Sequence, residues 1–155
     1  MSSIATSTFV TTSSSASRES RAVNWGPFAR VGLATVVAAV IANVLVYFVG
    51  DAVVGYDSEF VVLSNVSGTI LFTLIAGIVA VLVYAALLRR ADSPARLLTI
   101  ISAVVFVVTL IPDFTYIPTQ EGATNGQTAT LALMHAVAAV VIVWSLTTFA
   151  RPRER

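Results

Sequence analysis

The stretch LLRRADSPARLL, residues 87–98, separates two long apolar runs and contains three of the nine arginines of this 155-residue chain. Ser93 is a suitable N-cap and Pro94 is favoured in the first turn of a helix, so the stretch predicts a sharp turn between two helices. The flanking runs, residues 69–88 and 95–111, are each long enough to cross the hydrocarbon core of a bilayer. We therefore predict a helical hairpin within a membrane.

Two further apolar runs lie outward from this hairpin, at residues 31–49 and 129–150. All four runs are continuously apolar rather than alternating, which favours helices over barrel strands. The chain is 57% hydrophobic and 11% charged, whereas a soluble domain is roughly one-quarter charged. The sequence predicts an all-α, four-helix transmembrane bundle over residues 26–151. A flexible Ser/Thr-rich tail at residues 1–25 and a basic C-terminus at residues 152–155 are predicted to flank it.

Charged residues are sorted between the two ends of this predicted bundle. Every arginine lies before the first run, in the central turn or after the last run, namely Arg18, Arg21, Arg30, Arg89, Arg90, Arg96, Arg151, Arg153 and Arg155. The two opposite connections contain only acidic charges, namely Asp51, Asp57, Glu59, Asp113 and Glu121. Because basic residues favour the cytoplasmic side, we predict a cytoplasmic-membrane protein with both termini in the cytoplasm. The acidic connections, residues 50–68 and 112–128, are long enough for a small cap, in which residues 56–63 form either a short strand or an interfacial turn.

Polar side chains within the apolar runs are the candidate site. Such residues are uncommon in membrane spans and usually face the protein interior. At about 1.5 Å per residue, Asn43 and His135 both lie roughly 9 Å from the acidic ends of their runs, with Thr73 somewhat shallower. Asp51 and Asp113 would lie at the rim above them. We predict a ligand-binding pocket formed by these five residues.

Each of these residues also has a structural interpretation, which we keep open. A hydrogen bond between helices is the favoured interpretation of Asn43, and it explains His135 as well as a functional role does. Asp51 and Asp113 are explained by solvated positions at helix ends. The surroundings of His135 discriminate between these interpretations, since an imidazole that faces lipid argues against a site and a polar cavity supports one.

The residue types restrict the chemistry. With one histidine, no cysteine and no carboxylate inside a run, we expect neither a metal nor a cofactor. The arginines fall in three segments, which suits lipid headgroups better than nucleic acid. We favour a non-catalytic protein that contacts the lipid bilayer and a membrane-protein partner or a second copy. The alternatives are a small-molecule or proton-coupled carrier that uses the polar pocket, and a membrane-embedded enzyme in which Ser102 or Asp113 contacts His135.

The last run contains the sequence TLALMH, residues 130–135, followed by alanine and valine. This pattern resembles a functionally uncharacterised family of short bacterial membrane proteins, found largely in actinobacteria, that have an LALMH-type motif in the last helix. Members of that family also have an asparagine near the outer end of the first span, which corresponds to Asn43. The resemblance covers about residues 30–151 and implies four spans in a bacterial membrane, but it implies no reaction.

Overall fold

The computed structural model describes residues 24–150. Its four α-helices are α1 (Trp25–Val54), α2 (Val66–Arg90), α3 (Pro94–Thr115) and α4 (Asn125–Phe149), with a short 3-10 turn at Ile117–Thr119. All four are long and apolar enough to cross a membrane, and no strand occurs within the described range. The all-α, four-helix prediction is therefore confirmed. The terminal segments predicted at residues 1–25 and 152–155 lie outside the described residues, apart from Asn24 and Trp25.

Helix α1 packs against α2 along a face of small residues. Gly32 lies opposite Val81, and Gly77 lies opposite Val36, so the two helices run antiparallel. A Cβ atom added to Gly77 would lie 3.1 Å from Val36 Cγ2, which shows how closely the two backbones approach. Helix α1 also packs against α4, whereas α3 contacts α4 and, over a shorter stretch, α2.

The bundle has two chemically distinct ends. The arginines that the structure describes, Arg30, Arg89, Arg90 and Arg96, lie at what we call the arginine end, where the Arg89 guanidinium stacks 4.3 Å from the centre of the Trp25 ring. The opposite end, with the two connections between helices, is the acidic end. Each end is filled by a buried apolar cluster, Phe28, Ala39, Tyr84, Leu88, Leu98, Ile142, Leu146 and Ala150 at the arginine end and Tyr47, Phe60, Leu63, Ile117, Leu131 and Met134 at the acidic end.

The connections at the acidic end form a small cap. Residues 56–63 fold as turns rather than as a strand, and Phe60 and Leu63 are each only 1% exposed. Tyr47 Oη donates to the Leu63 carbonyl and Tyr56 Oη to the Tyr47 carbonyl, both at 2.9 Å. Burial raises the pKa of Tyr56 above its ordinary value of 10.0. The cap is thus tied to the end of α1 by two phenol hydrogen bonds.

Helix α3 extends past the end that the sequence pattern predicts for its apolar run. The pattern ends that run at residue 111, before Pro112, but the helix continues through Pro112 to Thr115. Pro112 has no N–H to bond one turn back, yet the last turn still closes, since the Tyr116 N–H donates to the Pro112 carbonyl at 2.9 Å. This extra turn places Asp113 on the helix itself.

Candidate functional site

Asn43 and Thr73 form a closed contact between α1 and α2. Asn43 Nδ2 donates to Thr73 Oγ1 at 2.9 Å, and both residues are buried. Asn43 recurs at four-residue spacing with Thr35 and Ala39, which are also buried, so one face of α1 turns inward. The amide oxygen of Asn43 has no hydrogen-bond partner in the described part of the chain. This geometry matches the interhelical hydrogen bond that is one of the two interpretations of Asn43.

Asp113 and His135 form a second contact, between α3 and α4. His135 Nδ1 lies 2.9 Å from Asp113 Oδ2 and 3.0 Å from the carbonyl oxygen of Leu131. Asp113 is 5% exposed, whereas the His135 side chain is 38% exposed. The interpretation of Asp113 as a solvated residue at a helix end is therefore wrong, because the added turn of α3 directs its carboxylate against α4.

Two oxygen atoms lie within hydrogen-bond distance of His135 Nδ1. One is the Leu131 carbonyl, and the other is Asp113 Oδ2, which completes no hydrogen bond of its own. Because a carbonyl oxygen can only accept, the Leu131 contact favours the tautomer in which Nδ1 carries the hydrogen. The other ring nitrogen, Nε2, has no partner among residues 24–150. The imidazole is thus oriented through one nitrogen and free at the other.

Asp51 belongs to neither pair. Its Oδ1 accepts a hydrogen bond from the Tyr56 N–H at 3.0 Å, at the exposed point where α1 leads into the cap. Within residues 24–150, no hydrogen bond or ion pair joins the Asn43–Thr73 contact to the Asp113–His135 contact. The five residues predicted to form one pocket therefore divide into two helix interfaces and one turn, and a ligand-binding role for them stays a prediction.

Sequence reasoning missed the contribution of Leu131 to this site. Its backbone carbonyl lies four residues before His135, and a histidine in a helix can direct Nδ1 back to that carbonyl, as serine and threonine hydroxyls do. The spacing alone could have suggested this contact. The pairing with Asp113 could not be found in this way, because it depends on the continuation of α3 through Pro112.

An apolar groove of about 340 Å³ lies between α1 and α4 near the acidic end. It is lined by Leu45, Val46, Val49, Gly50, Val53, Val54, Thr130 and Leu133. Neither polar pair lines it, so the groove is separate from the candidate site.

Comparison with known proteins gives one match. A family model described as "Family of unknown function (DUF6069)" matches residues 23–152, which include all four helices and both polar pairs. No curated protein and no solved structure matches the chain. The comparisons therefore agree with an uncharacterised family and supply no reaction, ligand or partner.

Proposed function

The chain belongs to the DUF6069 family, whose function is unknown, and we propose from its own geometry that it is a non-catalytic, multi-pass protein that binds a partner membrane protein. We place it in a bacterial cytoplasmic membrane with both termini in the cytoplasm. The described arginines all lie at one end of the bundle, and the connections at the opposite end contain acidic residues and no arginine, which supports this orientation.

The observation that carries the proposal is the half-exposed imidazole of His135. The helix α4 is about 37 Å long and His135 lies about 15 Å from its start, so the imidazole falls well inside a hydrocarbon core of about 30 Å. Hydrocarbon offers no hydrogen bond to the free Nε2, and polar groups at this depth usually face protein. A partner that covers His135 and bonds to Nε2 removes this penalty.

We place the exposed part of His135 at the side of the bundle. The apolar clusters fill both ends, and the acidic-end cluster includes Leu131 and Met134, four residues and one residue before His135. Helix α3 beside it buries only Leu98 and Asp113, and the half of α2 nearer the acidic end buries only Thr73 and Gly77. These helices have free surface for another transmembrane helix.

Photo-crosslinking in native membranes tests this proposal. Phe106 is half-buried on α3 and lies two turns before Asp113, on the same face of the helix. Benzoylphenylalanine at this position therefore samples the surface beside His135. Phe48 on α1 is 56% exposed and provides a matched control of the same residue type. We expect one protein adduct of defined mass at position 106 and none at position 48.

The dependence of this adduct on His135 decides the outcome. His135→Ala should abolish the adduct, whereas Asn43→Ala, which changes the closed pair, should leave it intact. An adduct of equal yield in the His135→Ala background, or equal labelling from position 48, would show that the partner does not use this surface.

A proton-coupled carrier is the second candidate, because a buried carboxylate beside an imidazole is an arrangement that can hold and release a proton. The same contact meets the condition set for an embedded enzyme, but Ser102, the candidate nucleophile, forms no hydrogen bond to His135 among the described residues. In proteoliposomes with an internal pH dye, a carrier would dissipate an imposed pH gradient faster than protein-free vesicles do. Equal rates for the wild-type protein and His135→Ala would eliminate it.

A further inference from the structure

The free nitrogen of His135 has a definite hydrogen-bonding character. The Leu131 carbonyl lies 3.0 Å from Nδ1 and can only accept a hydrogen bond, which favours the tautomer with the hydrogen on Nδ1. In that tautomer Nε2 has a lone pair and no partner among residues 24–150. This lone pair lies on the part of the ring that Leu131 and Asp113 do not contact.

We infer that His135 is an acceptor site within the bilayer, at which Nε2 receives a hydrogen bond from an O–H or N–H donor on a partner transmembrane helix. This inference rests on the proposed function for the identity of the partner, and it adds the chemistry by which that partner is recognised. A serine, threonine, tyrosine or asparagine side chain on the partner supplies such a donor.

The surroundings of His135 favour a helix as the source of the donor. Ala132 and Ala139 lie about one turn from His135 on α4, and both are half-buried. Small residues allow helices to approach closely enough for a short side chain to reach across. A symmetric dimer with the two His135 side chains face to face is a poor match, because the second copy would then present another acceptor to Nε2.

The tautomer of His135 can be measured directly, because His135 is the only histidine of the chain. Full-length protein labelled with ¹⁵N-histidine and placed in lipid bilayers at neutral pH should give one protonated and one bare imidazole nitrogen, assigned to Nδ1 and Nε2 respectively. A hydrogen on Nε2, either in the other tautomer or in the imidazolium form, would overturn the inference.

Access to the acceptor is tested with a matched pair of small probes. Phenol and anisole both partition into bilayers and have similar shapes, but only phenol has an O–H donor. We expect phenol to shift the Nε2 resonance upfield in a saturable manner and anisole to leave it unchanged. Equal shifts with both probes, or no shift with phenol, would show that Nε2 is not an open acceptor.

This result is independent of the crosslinking experiment. If Nε2 responds to phenol and position 106 gives no adduct, the acceptor exists but the proposed protein partner does not. If position 106 gives a His135-dependent adduct while Nε2 carries the hydrogen, the partner is real and the inferred chemistry of recognition is wrong.

Discussion

Helices α1 and α3 are both apolar and both long enough to span a membrane, yet they are held in the bundle in different ways. Seven of the 30 residues of α1 are buried, at spacings of three and four along one face, whereas α3 buries two of its 22 residues. One of the two in α3 is Asp113, whose carboxylate contacts α4. Packing along one face fixes α1 as the scaffold, while α3 buries one leucine near the arginine end and one carboxylate near the acidic end and leaves most of its surface for lipid or a partner.

The largest expected effect concerns α1, the more closely packed of the two helices. Gly50 of α1 faces Tyr56 and Thr130, and a side chain at this position would overlap both of them. Gly50→Leu should therefore destabilise the protein by about 3 kcal/mol, the upper range for overpacking a filled site. The free energy of unfolding in mixed detergent micelles measures the effect.

Ala103→Leu on α3 is the matched control, because Ala103 is exposed and the same bulk would extend away from the bundle. We expect its unfolding free energy to stay within about 0.5 kcal/mol of that of the wild-type protein, as for surface substitutions in general. If the two leucine substitutions were equally destabilising, the contrast between a packed α1 and a loosely held α3 would be refuted.

The second prediction removes the polar contact between α3 and α4. Asp113→Ala should cost about 1 kcal/mol, the size of one hydrogen bond, because His135 is half-exposed and Asp113 Oδ2 completes no hydrogen bond. Asp113→Asn should cost less than the alanine variant, since its amide oxygen can still contact Nδ1. Hydrogen exchange should accelerate in the half of α3 nearer the acidic end and stay unchanged in α1, and acceleration spread evenly over both helices would contradict this assignment.

The same contrast explains how much could be predicted from the sequence. An apolar segment suits hydrocarbon and a charged segment suits water, whatever the neighbouring helices are. The four helices and the chemically distinct ends can therefore be predicted from the sequence. The sequence indicated a hydrogen bond between helices for Asn43, but it did not identify Thr73 as the partner. Asp113 was misplaced because proline usually ends a helix, and the sequence pattern does not show that the last turn closes without the missing N–H.

The division of the predicted pocket could not be derived from depth alone. Residues at one level can face different neighbours, and the rotation of each helix about its axis is set by packing. The close approach of α1 and α2 at Gly32 and Gly77 places Asn43 against α2. The contact with Asp113 places His135 against α3. Asp51 is directed elsewhere by the local turn in which it accepts a hydrogen bond from Tyr56.

A smaller effect is expected at the closed polar pair. In a double-mutant cycle, Asn43→Ala and Thr73→Ala should be coupled by about 0.6 kcal/mol, the average for side-chain hydrogen bonds between membrane helices. Pairing Asn43→Ala with Ser102→Ala on α3 supplies the control, for which we expect no coupling. Unfolding free energies of the single and double variants give both values, and a coupling above about 2 kcal/mol would exceed the largest such values and indicate a stronger role for Asn43.

The smallest effect concerns Tyr56, one of the two tyrosines whose phenol hydrogen bonds tie the cap to α1. Tyr56→Phe removes the hydrogen bond to the Tyr47 carbonyl and should cost about 0.5 kcal/mol at neutral pH, the lower end for a partly buried bond. Because burial raises the pKa of Tyr56 in the folded protein, its contribution is fully present below pH 10.0 and is lost as the pH rises through that raised value. The wild-type protein should therefore lose its small advantage over Tyr56→Phe once the pH exceeds the raised pKa of Tyr56. An advantage that persisted at still higher pH would mean that the Tyr56 phenol does not hold the cap through its proton, and that the cap depends on the Tyr47 hydrogen bond and on the packing of Phe60 and Leu63.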